Sequence, residues 1–201
     1  MTIKIYGDGR SGNCYKQQLL AAILSIPHEW VHIDIMAGEA RTEEFKNKNP
    51  ASRIPVLELK DGRFISESNA ILNYLAFGSE LLPTDRYELA KVMQWQFFEQ
   101  YSHEPYIAVA RYIALYLGMP EDRKEEYESK QAGGHKALSV MELQLLQTPF
   151  LTGEQMTTAD IALYGYTHIA GEGGFDLSAY KAINDWLKRI EDAPGYVAMS
   201  Q

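Results

Sequence analysis

The sequence predicts an α/β first part followed by an all-helical second part, and three observations carry that reading. Strand-like alternation is confined to the first third of the chain, where Ile3 and Ile5 alternate with Lys4 and Tyr6, and Val31, Ile33 and Ile35 share one face. A strand, a helix and a strand follow one another there within the length of one βαβ unit, roughly 30 residues. Beyond Gly78–Pro83, which reads as a linker, apolar residues recur at helical spacing and strand signals vanish.

The elements follow in order. After the first strand, Gly7–Asn13 is a loop by composition. The first helix carries Tyr15, Leu19, Leu20, Ile23 and Leu24, and Pro27 stops it. Glu29–Ile35 is the second strand, and a short helix is expected around Glu43-Glu44-Phe45 in an otherwise polar stretch. Asp61-Gly62 between Val56–Leu59 and Arg63–Ile65 is a hairpin signal. Ser66 or Ser68 is placed to cap the helix containing Ile71, Leu72 and Leu75. That helix start offers unpaired N–H groups and a partial positive charge, a setting suited to a carboxylate. Pro55 opens its strand, where proline is permitted and where an X–Pro bond can be cis at modest cost. A cis bond would leave the Ile54 backbone available to an extended peptide. In the second part, Asp85–Gly118 is helical in pattern and kinked or split by Pro105. Glu121–Leu146, Ile161–Ala170 and Tyr180–Ile190 are the remaining helices. Thr157-Thr158-Ala159-Asp160 reads as a capping box, with Met156 and Ile161 as its hydrophobic staple.

Composition narrows the function. The chain has 201 residues, 46% of them hydrophobic and 23% charged, with a net charge of −8, which argues against nucleic acid or an anionic membrane as a main partner. A single cysteine rules out an internal disulfide. The first residues read as a strand and not a signal peptide, and the longest apolar tract, Tyr106–Leu117, is broken by Arg111 and too short to span a bilayer. A cytoplasmic protein is expected. The five histidines show no metal-ligand spacing, and no metal is expected.

Ile54-Pro55-Val56-Leu57 followed by Glu67-Ser68-Asn69-Ala70-Ile71 resembles the glutathione-binding half of the glutathione transferases. Ser11-Gly12-Asn13 and the Thr157–Asp160 cap extend the resemblance over nearly the whole chain. It implies a thioredoxin-like glutathione-binding domain over residues 1–77, with the order β-α-β-α-β-β-α. It also implies an all-helical domain over 84–201 that contributes the second-substrate site. The implied fold is that of the glutathione transferases, and the implied assembly is a homodimer.

A free thiol with a pKa near 8.5 is mostly protonated at neutral pH, so the chemistry needs a group that stabilises the thiolate. Ser11 lies where the first loop becomes a helix and is similar to the Ser-x-Asn start of serine-type, theta- or nu-like bacterial members, whose serine donates to the glutathione sulfur. Tyr6, at the end of the first strand, is the rival donor, and Cys14 is the residue of a cysteine-type alternative. The resemblance further implies that Ile54 pairs its backbone with the cysteinyl part of glutathione and that Glu67 and Ser68 hold the γ-glutamyl end. Arg53 and Arg41 are candidates for the glycyl carboxylate, although Ala40 departs from the family's pattern there. Tyr106, Arg111 and Tyr112 are candidates for the second-substrate site, and Glu99 or Glu104 for a contact to glutathione across a dimer. The implied reaction is attack of the glutathione thiolate on a small electrophile, a detoxifying conjugation. The alternatives are a non-catalytic binding protein of the same fold and a glutathione-dependent disulfide reductase or isomerase.

Overall fold

The computed structural model describes residues 2–199. The chain forms two compact units, one running up to Ser79 and rejoined by the segment from Ala193 onward, the other spanning Glu80–Asp192. The first is α/β and the second is all helical apart from one isolated bridge between Phe150 and Gly153, so the predicted fold class holds.

The first unit contains β1 (Ile3–Gly7), α1 (Gly12–Ile23), β2 (His28–His32), α2 (Glu43–Lys46), β3 (Val56–Glu58), β4 (Phe64–Ser66) and α3 (Ser68–Ala76). The sheet order is β2-β1-β3-β4, with β1 parallel to β2 and antiparallel to β3. The alternation of β1 sends its residues to two cores. Ile5 packs with Leu57, Leu59 and Ile71, with Leu75 of α3 against them. Tyr6 packs on the opposite face with Ile33, Ala40, Phe45 and Val56, and Ile54 lies against that cluster. β2 stops at His32 and not at Ile35, because the Asp34 carboxylate accepts from the N–H groups of Met36 and Ala37 and turns the chain out of the sheet. The hairpin turns at Asp61-Gly62, with Gly62 at φ 86°, which glycine adopts without steric cost. The Ile54–Pro55 peptide is cis, as the sequence predicts.

The C-terminal segment packs on α1. The Tyr15 hydroxyl donates to the Val197 carbonyl at 2.8 Å. A Cβ on Gly195 would stand 2.9 Å from the Ile23 backbone, so only glycine permits that approach.

The second unit contains α4 (Arg86–Phe98), α5 (Glu104–Arg111), α6 (Lys124–Leu145), α7 (Thr158–Thr167) and α8 (Lys181–Glu191). The predicted split at Pro105 is a π-helical turn, Glu99–His103, immediately before α5, and a second π turn, Tyr112–Tyr116, follows it. Proline has no N–H to give to the preceding turn, and widened turns of this kind take up the mismatch. Thr157 and Asp160 form the expected capping box of α7. The Asp160 carboxylate is fully buried and also accepts from Leu151 N at 2.9 Å and from Trp186 Nε1 at 3.0 Å. Burial pushes its pKa up, and these donors pull against that shift. No helix among the described residues is long and apolar enough to cross a membrane.

Candidate active site

Ser11 is the residue just before α1, at the end of the loop that leaves the C-terminal end of β1 at Gly7. Its N–H donates to the Asp8 carbonyl at 3.0 Å, and its carbonyl accepts from Cys14 and Tyr15 as the helix begins. Its hydroxyl caps nothing. Instead it lies in hydrogen-bond contact with the buried sulfur of Cys14, which also meets the Asp8 N–H. The loop is moulded on this sulfur. A Cβ on Gly7 would stand 2.7 Å from Cys14 Sγ and 2.9 Å from Trp30, so glycine is required there. The Asp8 carboxylate is buried and bound by the Arg10 N–H and guanidinium, which closes the loop.

Burial drives the Cys14 thiol up to about 12, with the Ser11 hydroxyl and the Asp8 N–H opposing. The thiol is therefore protonated at neutral pH and inert as a nucleophile. A neutral thiol is a weak acceptor, so it holds the Ser11 proton less firmly than an anionic sulfur would.

Tyr6 points elsewhere. Its ring lies edge-on to Phe45, and its hydroxyl donates to Glu58, which pairs with Lys4 at the far end of β1 from Ser11. Burial first, then the bond to Glu58, raises the phenol pKa, the wrong direction for a thiolate partner.

The start of α3 differs from the expected cap. Glu67 occupies the cap position without a side-chain bond, at φ 70°, a left-handed value unusual for a side chain larger than glycine. Ser68 is the first helical residue and is buried. Its hydroxyl donates to Asn13 Oδ1 at 3.2 Å, 55 residues away in the chain, so the Ser-x-Asn and Glu-Ser motifs meet. Lys16 Nζ donates to Asn13 Oδ1 at 2.7 Å and to Ser68 Oγ at 3.3 Å, and Gln17 Nε2 donates to the Ser68 carbonyl at 2.9 Å. Lys16 and Gln17 are absent from the sequence-derived site. The available signal is two polar residues set beside the apolar positions Tyr15, Leu19 and Leu20 of one helix, and both are fully buried.

Ile54 stands at the edge of the Tyr6 cluster, and no hydrogen bond among the described residues engages its backbone. Arg53 is exposed, and its carbonyl accepts from Asn49. Arg41 is exposed next to buried Ala40, which belongs to the same cluster as Val56, so the Arg41 turn and the Ile54 edge share one side of the sheet.

In the helical unit, Arg111 is buried, donates to Glu172 at 2.5 Å and lies 5.7 Å from the Tyr116 ring. Tyr112 stacks on Tyr116. Tyr106, more than one turn earlier, covers Gly133, where a Cβ would meet its ring at 2.2 Å. Of the two acids named for a contact across a dimer, Glu99 is fully buried and accepts from Gln100, whereas Glu104 is half-buried. No group of three or more His, Cys, Asp and Glu among the described residues is arranged to hold a metal.

Residues 1–77 match the family model "Glutathione S-transferase, N-terminal domain", and residues 104–194 match "Glutathione S-transferase, C-terminal domain". The crystal structure of a glutathione S-transferase from Pseudomonas fluorescens is 56% identical, covers all of both chains and superposes with a TM-score of 0.98. That of a possible glutathione S-transferase from Rhodopseudomonas palustris is 44% identical, covers 100% of this chain and 91% of its own, and has a TM-score of 0.96. Glutathione S-transferase F10 of Arabidopsis thaliana is 36% identical over 87% of this chain and 86% of its own. With both halves matched and relatives this similar over most or all of their length, the chain belongs to the cytosolic glutathione transferase superfamily.

Proposed function

We propose that this chain is a serine-type glutathione transferase, theta- or nu-like, that activates the glutathione thiol through Ser11 and joins it to a small electrophile. One observation carries the reading. The Ser68 hydroxyl bonds to Asn13, two residues from Ser11, so the motif for the thiol and the motif for the γ-glutamyl end stand side by side. The hydroxyl of Ser11 is not spent on capping, and the neutral Cys14 behind it competes for its proton less strongly than a thiolate. Residues 1–77 hold glutathione, with Ile54 toward the cysteinyl backbone, Glu67 and Ser68 toward the γ-glutamyl group, and Arg41 and Arg53 toward the glycyl carboxylate. The helical part, 84–201, supplies the second-substrate residues Tyr106, Arg111 and Tyr112. Arg111 serves by orienting the tyrosines, since its guanidinium is engaged by Glu172 and stands over Tyr116.

A homodimer of cytoplasmic location completes the reading. Met93, Phe97 and Tyr101, four residues apart, present an exposed apolar stripe along α4 and the turn after it, which supports self-association.

The test incubates the protein with glutathione and a chloronitroarene and follows the products by mass spectrometry. The thiolate displaces chloride, so thioether and chloride should appear together. Wild-type protein that binds glutathione but forms no thioether supports the binding-protein alternative. Rapid turnover of a mixed disulfide to glutathione disulfide, without thioether formation, supports the reductase.

A further inference from the structure

Lys16 is fully buried, and its ammonium points into a polar knot, not to solvent. Burying a charge is costly, and replacing it with a well-packed apolar residue is often neutral or stabilising, so stability alone is a poor account of a lysine in this place. Its contacts indicate another role. Asn13 Oδ1 receives two protons, one from Lys16 at 2.7 Å and one from Ser68 at 3.2 Å. Ser68 Oγ in turn accepts from Lys16 at 3.3 Å, while Gln17 fixes the Ser68 carbonyl at 2.9 Å. The serine is thus held at both its backbone and its side chain by α1.

We propose that Lys16 is a positioning residue for glutathione, acting through Ser68 and Asn13 to present a carboxylate-binding hydroxyl at the start of α3. When the γ-glutamyl carboxylate arrives, the Ser68 proton turns from Asn13 to the ligand. Asn13 Oδ1 is not left unsatisfied, because the shorter bond from Lys16 remains. Ser68 Oγ still accepts from Lys16, and a hydroxyl that accepts from a cation is a stronger donor. The buried charge also favours an anion at that helix start. The step moves no covalent bond.

The inference rests on the glutathione-binding reading, and a double-mutant cycle separates the two. Lys16→Met, Ser68→Ala and the double variant are compared with wild type by calorimetry with glutathione, steady-state kinetics and melting. Each single change is expected to weaken binding about tenfold, the scale of one hydrogen bond to a charged group. The double variant is expected to be no more than about twofold worse than the weaker single variant, since Lys16 works through Ser68. KM for glutathione should rise more than kcat falls, and the thiolate pKa of bound glutathione should stay at its wild-type value. If Lys16→Met does not fold, Lys16→Gln takes its place in the same cycle. Losses that multiply to about a hundredfold in the double variant, or a raised thiolate pKa, overturn the inference. So does wild-type binding that Lys16→Met leaves intact. Failure of wild type to bind glutathione overturns the functional reading itself.

Discussion

Ser11 has one proton to give, and the two sulfurs it can face differ in charge. Cys14 is held protonated by burial, whereas a bound glutathione thiolate would be anionic, so the stronger acceptor is the ligand. Glu67, proposed to hold the γ-glutamyl end, also has an unusual local state. It is exposed, and its φ of 70° is strained for a residue with a Cβ. Such backbone costs on the order of 1–3 kcal/mol and concentrates at functional sites. Glu67→Gly relieves the strain but loosens the unfolded chain by about 0.4–1 kcal/mol. The melting temperature is expected to equal or exceed that of wild type, while glutathione affinity falls about tenfold with the lost carboxylate. Scanning calorimetry and titration together check this, and a lower melting temperature with intact affinity would contradict it.

At the scale of elements, what was legible in the sequence was local. The α7 capping box spans four residues and the Asp-Gly hairpin two, so both could be read from neighbours in the chain. The start of α3 is not legible in the sequence because its decisive bond runs from Ser68 to Asn13, and Lys16 and Gln17 are hidden for the same reason. Asp160 illustrates the limit within one residue. Its cap was legible, but its bonds to Leu151 and Trp186 were not, being set by how the loop and α8 pack around it. The two roles have separable costs. Thr157→Ala should lose about 1 kcal/mol, the usual value of a cap. Asp160→Ala leaves the Leu151 N–H and Trp186 Nε1–H without their acceptor and should lose about 3 kcal/mol or more. Denaturant titration measures both. Glutathione affinity per folded molecule should match wild type in each, and a variant that melts normally but no longer binds would refute this division of labour.

At the scale of the whole molecule, the fold class was legible because each part carries its own periodicity, alternation before the linker and helical spacing after it. The return of the chain to α1 from Ala193 was not, since it depends on a glycine contact and one tyrosine bond. Stability toward acid is a property of the assembled helical core. His168 donates from Nδ1 to the Tyr164 carbonyl and stacks on the Tyr164 ring. Burial, aided by the Arg111 charge and opposed by the Tyr164 carbonyl and Glu172, holds its pKa at about 4. The folded state therefore favours neutral histidine. Its contribution is complete above the unfolded value near 6.5 and is lost as pH falls from 6.5 toward 4, by up to about 3 kcal/mol. His168→Phe should remove about 2 kcal/mol of the destabilisation that wild type shows between pH 7 and 5. Denaturant titration at the two pH values decides it, and equal losses in both proteins would contradict the assignment.

The proposed chemistry assigns ionisation of the bound glutathione thiol to Ser11, and to neither Tyr6 nor Cys14. The most direct measurement is a titration of the thiolate absorbance of bound glutathione in wild type, Ser11→Ala, Tyr6→Phe and Cys14→Ala. A donor lost from the charged form raises a pKa, at about 1.36 kcal/mol per unit, and a preorganised donor removed from an active site can cost on the order of 100-fold in rate. Ser11→Ala is predicted to raise the bound thiol's pKa by about one unit or more and to slow turnover by up to that factor, while Tyr6→Phe, whose hydroxyl is engaged by Glu58, leaves the pKa where it is in wild type. Cys14→Ala should move it less than Ser11→Ala, through the loop alone. An unmoved pKa in Ser11→Ala, with a shift in Tyr6→Phe or a larger one in Cys14→Ala, would contradict the account.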